Sequence, residues 1–190
     1  MVADIVKEIE LHLKLVNEFK EHGAEKVIQI SEVIIKSLKS DGKIYLCGNG
    51  GSAADAQHVA GELMGRFHIN RRSLPAISLS TDTSVLTCVG NDYGFNEIFA
   101  RQVKALMKVN DLLWVFTTSG KSQNILAACE EAKKCGAKVI AFTGKSENKL
   151  SNVADYMLNV ESEKTDAIQE IHQLAYHLIC GLVEERLFQN

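Results

Sequence analysis

KIYLCGNGGSAADAQ (43–57) reads as a short apolar run, a turn crowded with glycine, and the opening of a helix. LLWVFTTSGKSQNILAA (112–128) repeats the grammar: apolar run, a loop of small and hydroxyl residues, then an amphipathic stretch. Between and after them lie three further short runs, LPAISL (74–79), KVIAF (138–142) and YMLNV (156–160). Runs apolar on both faces and separated by helical segments predict a parallel five-stranded sheet covered on both sides, an α/β fold of three layers. The only proline, Pro75, opens one of these runs, where a missing N–H is tolerated. In an open parallel sheet, ligands bind at the carboxyl ends of strands where the winding reverses. Two such strand–loop–helix units therefore predict one shared cleft.

Outward from this centre, the first 40 residues read as a helix pair. Ile5, Ile9, Leu13 and Val16 recur at three- and four-residue spacing, and after Gly23 a second stripe carries Val27, Ile30, Val33, Ile34 and Leu38. Such a pair must bury its stripes on its own sheet or on copies of itself. Thr165 to Asn190 reads as one long closing helix with Thr165 as N-cap. No linker or low-complexity tract interrupts the chain, so residues 1–190 are expected to form a single domain, with 1–40 used in packing or oligomerisation.

Composition narrows the function classes. At 46% hydrophobic and 24% charged residues the balance is that of a globular protein. A formal charge of −3 argues against nucleic acid as a partner, which requires a basic surface. It leaves room for a small anion held by a few N–H groups. No apolar run approaches the ~20 residues that span a bilayer, and the N-terminus lacks the apolar region of a signal peptide. Five cysteines, an odd number with no CxxC pair, fit reduced thiols in the cytoplasm. No membrane association is expected.

The two loops carry the chemistry. Gly48, Gly50 and Gly51 let backbone approach a ligand, with Asn49 and Ser52 beside them. A tight strand–helix turn without a ligand has the same composition. The second loop is more specific: Thr117, Thr118, Ser119 and Ser122 set four hydroxyls around Gly120 at a helix start, a donor set suited to a phosphate monoester. Gly120-Lys121-Ser122 is not a nucleotide loop, because Val115 stands where the motif needs glycine. His58 and Glu62, four residues apart, share one face of the helix leaving the first loop. A solvated helix often carries such a pair, but here the helix starts at the predicted cleft, and imidazole with carboxylate suits zinc.

CGNGGSAADAQHVAGELMGRF (47–67), VGNDYGF (89–95), TTSGKS (117–122) and DAIQEIHQLAYH (166–177) together resemble the phosphoheptose isomerases, a group of SIS-domain proteins. The resemblance implies a flavodoxin-like sheet and a homotetramer with active sites at subunit interfaces. It implies conversion of sedoheptulose 7-phosphate to D-glycero-D-manno-heptose 7-phosphate, the first step of bacterial heptose synthesis for lipopolysaccharide and related glycans. It also implies substrate binding by Asn49, Gly50, Gly51, Ser52, Glu62, Asn91, Asp92, Thr117, Thr118, Ser119, Ser122 and Gln169. The same resemblance gives zinc held by His58, Glu62, Gln169 and His177, with Glu62 and His177 as the acid–base pair. On a helix, Gln169 and His177 stand ~12 Å apart along the axis. To share one ion they must lean toward each other or come from different subunits, and the spacing does not choose. His172, on another arc, reads as a packing or interface residue. Two alternatives share this sequence pattern: a non-catalytic tetrameric SIS protein that binds the replication initiator, and an isomerase for another phosphosugar. The set His58, Glu62, Gln169 and His177 weighs against the first, since a pure binding protein has no need of it.

Overall fold

The computed structural model describes residues 1–145 and 149–189. Strands β1 (Ile44–Gly48), β2 (Ala76–Ser78), β3 (Leu112–Thr117), β4 (Lys138–Thr143) and β5 (Tyr156–Asn159) form one sheet in the order β2-β1-β3-β4-β5. Every neighbouring pair is parallel. This is the doubly wound, flavodoxin-like arrangement, whose winding reverses between β1 and β3. Both of those strands are buried along their whole length, which is why their sequences show no alternation. β2 is shorter than the apolar run 74–79 suggests. Pro75 has no N–H to donate and sits just outside it, its carbonyl accepting from the Ile44 N–H at 2.9 Å.

Helices fill the layers on either side. Alternate residues of β1 and β3 (Ile44, Leu46, Leu112, Trp114, Phe116) face a core completed by α2 (Ala24–Lys39), α3 (Gly51–Met64) and α7 (Thr165–Phe188). The intervening residues (Tyr45, Cys47, Leu113, Val115) face α5 (Ala100–Leu106) and α6 (Gln123–Lys134), with Val89 of α4 (Thr83–Tyr93). The two units at the reversal thus send α3 and α6 to opposite faces. Cys47, Cys129 and Cys180 are buried free thiols; burial pushes Cys129 and Cys180 up to about 12, so they remain protonated.

The N-terminal pair divides its labour. α2 buries Val27, Ile30, Val33, Ile34 and Leu38 on its own sheet and against α7. α1 (Val2–His22) buries only Leu15, leaving Ile5, Ile9, Leu13 and Val16 exposed in the single chain. It is tied to α7 by polar contacts, Lys164 to Glu8 at 2.5 Å and His12 to Glu170 at 2.8 Å. The closing helix begins at Thr165, but Thr165 is not its cap: Lys164 holds that position without a side-chain cap bond. The Thr165 hydroxyl instead faces that of Thr118, 3.5 Å away, and so meets the second loop. Asn190 lies outside the described residues. No helix among the described residues is long and apolar enough to cross a membrane.

Candidate active site

Gly48 of β1 lies in register with Phe116 of β3, so the two loops leave the sheet side by side. They are joined by a reciprocal amide pair, in which Asn49 Nδ2 donates to Asn124 Oδ1 and Asn124 Nδ2 to Asn49 Oδ1, both at 2.9 Å. The predicted shared cleft is therefore one hydrogen-bonded unit. Asn124, buried in the first turn of α6, is a member the sequence reading missed. Gly50 takes φ +56, a region that side chains rarely adopt, and turns the backbone into α3. Ser52 is buried one residue into that helix.

The four hydroxyls of the second loop have distinct placements. Thr117 is buried at the end of β3, and its Oγ1 accepts the Gly120 N–H at 3.2 Å. Ser119 Oγ accepts from the Lys121 N–H at 3.2 Å, and Thr118 meets Thr165. Ser122 occupies the N-cap of α6 but makes no side-chain cap bond, so its hydroxyl does not cap the first N–H groups of α6. Asn91 and Asp92 stand exposed in the last turn of α4, Asn91 Nδ2 donating to Asp92 Oδ1 at 2.8 Å and Cys88 to Asp92 Oδ2 at 3.6 Å. Their hydrogen bonds among the described residues do not reach the two loops.

The remaining polar residues meet along a seam where α3 and α7 run parallel. At its start a Cβ on Gly51 would come within 2.5 Å of Gln169 Nε2, so glycine is what lets the Gln169 amide lie over the first loop. Two turns on, His58 Nε2 is 3.1 Å from Glu62 Oε1 and 3.4 Å from His177 Nε2. His58 Nδ1, on the other side of the ring, is 3.0 Å from the hydroxyl of Tyr176. Phe67 stacks on the His177 ring at 5.6 Å and 14°. Partial burial and the neighbouring His58 hold the His177 imidazole below its ordinary range, so it is neutral at neutral pH. Asp55, one turn before His58, is pushed up to about 6 by burial, against the pull of that histidine.

At its far end the seam is closed by a buried ion pair. Glu184 of α7 accepts N–H groups from Phe67, His68 and Ile69 at 2.9, 2.8 and 2.5 Å, and the Arg71 Nε at 3.2 Å. Arg71 in turn donates to the carbonyls of Glu62, Leu63 and Gly65, which α3 leaves unpaired at its C-terminus. The backbone of Glu62 and the ring beside His177 are thus fixed by the same clamp. Of the two roles open to His172, packing or interface, the structure shows packing: it is buried in the single chain, 3.2 Å from the Thr143 carbonyl, and pushed down to about 4 by burial.

The group fits a metal ion. Ligand atoms of His58, Glu62 and His177 all lie within 4.8 Å of one another. Donors around tetrahedral zinc at ~2.0–2.1 Å stand about 3.3 Å apart. The 3.1 and 3.4 Å separations match two edges of such a tetrahedron. Two imidazoles and a carboxylate are also a donor set that zinc accepts. Gln169 sits two turns away over Gly51, toward the loop end of the seam.

Comparison with known proteins narrows the chemistry. The SIS domain family model matches residues 10–144. The phosphoheptose isomerase of Nitratiruptor sp. is 48% identical over 97% of this chain and 99% of its own, and that of Aquifex aeolicus 49% identical over 90% of each. The solved phosphoheptose isomerase of Francisella tularensis superimposes with a TM-score of 0.94 at 39% identity, covering 97% of this chain and 98% of that one. Its Neisseria gonorrhoeae counterpart gives 0.91 at 38%, covering 96% and 98%.

Proposed function

The chain belongs to the SIS-domain family, within it to the phosphoheptose isomerases, and on that footing we propose that the seam of α3 and α7 is its active site. The reaction proposed is interconversion of sedoheptulose 7-phosphate and D-glycero-D-manno-heptose 7-phosphate, opening heptose synthesis for lipopolysaccharide or a related glycan in the cytoplasm. One observation carries the reading: His58, Glu62 and His177 meet beside two joined strand–helix loops, the second of them rich in hydroxyls. The phosphate belongs at Ser119, Ser122 and the start of α6, where helix dipole and N–H groups favour an anion. Thr117 supports this loop from within, and Thr118 faces its mouth. Asn49, Gly50, Gly51, Ser52 and Gln169 line the path from there toward the acid–base pair. Asn91 and Asp92 would meet substrate from the end of α4.

Isomerisation moves a proton between C1 and C2 through an enediol, which requires one group to take the carbon-bound proton and one to serve oxygen. Glu62, a carboxylate, and His177, neutral at neutral pH, can take and return these protons. The residues that would hold zinc are His58, Glu62 and His177, with Gln169 approaching from the loop side. Zinc bound there would polarise the sugar carbonyl and stabilise negative charge developing on oxygen. Phe67 and Tyr176 pack against the His177 ring and hold it in the seam.

A homotetramer is part of the same reading, supported by the apolar ridge of Ile5, Ile9, Leu13 and Val16 that α1 leaves uncovered in one chain. The deciding experiment is an isomerase assay on sedoheptulose 7-phosphate, with zinc added and with a chelator. Product formation that falls on chelation, and a KM raised about tenfold or more in Ser119→Ala and Ser122→Ala, are expected. No product under any metal condition would turn the reading toward a binding-only SIS protein.

A further inference from the structure

We propose that Tyr176 is a positioning residue that governs which nitrogen of His58 carries the proton, its hydroxyl serving either ring tautomer in turn. A neutral imidazole has one N–H donor and one bare acceptor. His58 Nε2 faces a carboxylate oxygen of Glu62 at 3.1 Å, and a carboxylate only accepts. Nε2 therefore carries the proton in this arrangement, and Nδ1 is a lone pair. Nδ1 lies 3.0 Å from the Tyr176 hydroxyl, which in this tautomer is the donor.

To offer Nε2 to a cation, the ring must lose its proton there and carry one at Nδ1 instead. The phenol oxygen then becomes the acceptor of Nδ1–H, and the phenol proton has to turn to another acceptor. The acceptor assigned to it is Asp55. It lies one turn before His58 on α3, it is buried, and its Oδ2 has no hydrogen-bond partner among the described residues. Its charge acts on both His58 and Tyr176. An orphaned buried carboxylate oxygen is costly unless another state of the site uses it. Tyr176 is itself 1% exposed, so it acts through His58 and not on the substrate. Its edge-on contacts with both the His58 and His177 rings hold the hydroxyl in place.

The metal-bound half rests on the zinc reading; the metal-free half does not. The test is long-range proton–nitrogen NMR on the full chain labelled with ¹⁵N-histidine, at pH 8, metal-free and after addition of zinc ion. Zinc affinity is measured alongside by competition with a chromophoric chelator. The wild-type chain is expected to show His58 as the Nε2–H tautomer without metal and as Nδ1–H with zinc. Tyr176→Phe keeps the ring and loses the hydroxyl. It is expected to show a mixture of tautomers without metal and to bind zinc about 10–100-fold more weakly. Asp55→Asn is expected to keep the metal-free tautomer but weaken zinc. Tyr176→Phe with the wild-type tautomer and the wild-type zinc affinity overturns the proposal, and Asp55→Asn with wild-type zinc affinity removes Asp55 from it. If the wild-type chain takes up no zinc, the metal assignment fails, while the metal-free spectra still decide the role of Tyr176.

Discussion

α3 and α6 leave adjacent strands at the winding reversal, each from a loop of small polar residues, yet only one of them carries reactive side chains beyond its first turn. Both bury a polar residue just after the start, Ser52 and Asn124. Beyond that point α6 turns Ile125, Ala128, Cys129 and Ala132 to the sheet and charge to solvent. α3 keeps Ala56, Val59 and Leu63 for the sheet but has a second neighbour, α7, and on that side it carries Gly51, Asp55, His58 and Glu62. A loop and a helix start suffice to hold a phosphate. Proton transfer at carbon needs a second helix that brings opposing groups: α7 sets His177 against His58 and Glu62 of α3, whereas the α-helix packed on α6 is α5, which carries no histidine or acidic residue.

The largest expected effect breaks that asymmetry directly. Counted from the first helical residue, Glu62 of α3 corresponds to Lys134 of α6, which forms an exposed pair with Glu131. Glu62→Gln preserves size and removes one member of the proposed acid–base pair, so kcat is expected to fall about 10²–10⁴-fold with KM for the phosphosugar little changed. Lys134→Met is expected to leave both constants at the wild-type value. Steady-state kinetics on the two variants give the answer, and near-normal turnover of Glu62→Gln would remove it from the acid–base role.

The same contrast explains what the sequence revealed. The sheet, its parallel sense and the two loops were legible because each depends on a few consecutive residues: apolar runs without alternation, then glycine or hydroxyls. His58 and Glu62 were legible for the same reason, being one turn apart. Asn124, Arg71 and Glu184 were not, since their roles come from partners 75, 113 and more residues away. Tyr176 was visible on the last helix but had no meaning until His58 stood beside it. Thr165 misled because Ser, Thr and Asp are good caps in isolation, and nothing local shows that its hydroxyl faces Thr118. Whether Gln169 and His177 converge was left open by spacing alone. In the single chain they divide, one over Gly51 and one against His58.

A second difference lies at the far ends of the two helices. α3 ends in the buried Arg71–Glu184 clamp, whereas α6 ends at half-exposed Lys133, paired with Asp155 at 2.8 Å. Removing one partner of a buried pair leaves the other charged and unpaired, so Glu184→Ala is expected to cost about 3 kcal/mol in urea denaturation. It also strips the acceptor from three N–H groups. Lys133→Met is expected to cost less than about 1 kcal/mol. Equal losses in the two would mean that Glu184 is not a clamp.

The smallest effect is one of pH, and it too belongs to one face. On the α6 face the buried thiols of Cys47 and Cys129 are pushed up and stay neutral throughout the acid range. On the α3 and α7 face, burial holds His172 near 4. An unfolded histidine titrates near ~6.5. Between these values the unfolded chain binds the proton that the folded chain refuses, so stability is full above ~6.5 and falls as pH drops toward 4. From pH 7 to pH 5 this group alone accounts for a loss of about 2 kcal/mol. His172→Gln keeps an N–H donor for the Thr143 carbonyl but has nothing to titrate. Its stability is expected to fall by about 2 kcal/mol less over that interval than the wild type's. Asp55, whose raised value stabilises the fold on acidification, is present in both proteins and cancels in the difference. Identical pH profiles for the two would place the acid sensitivity elsewhere on the molecule.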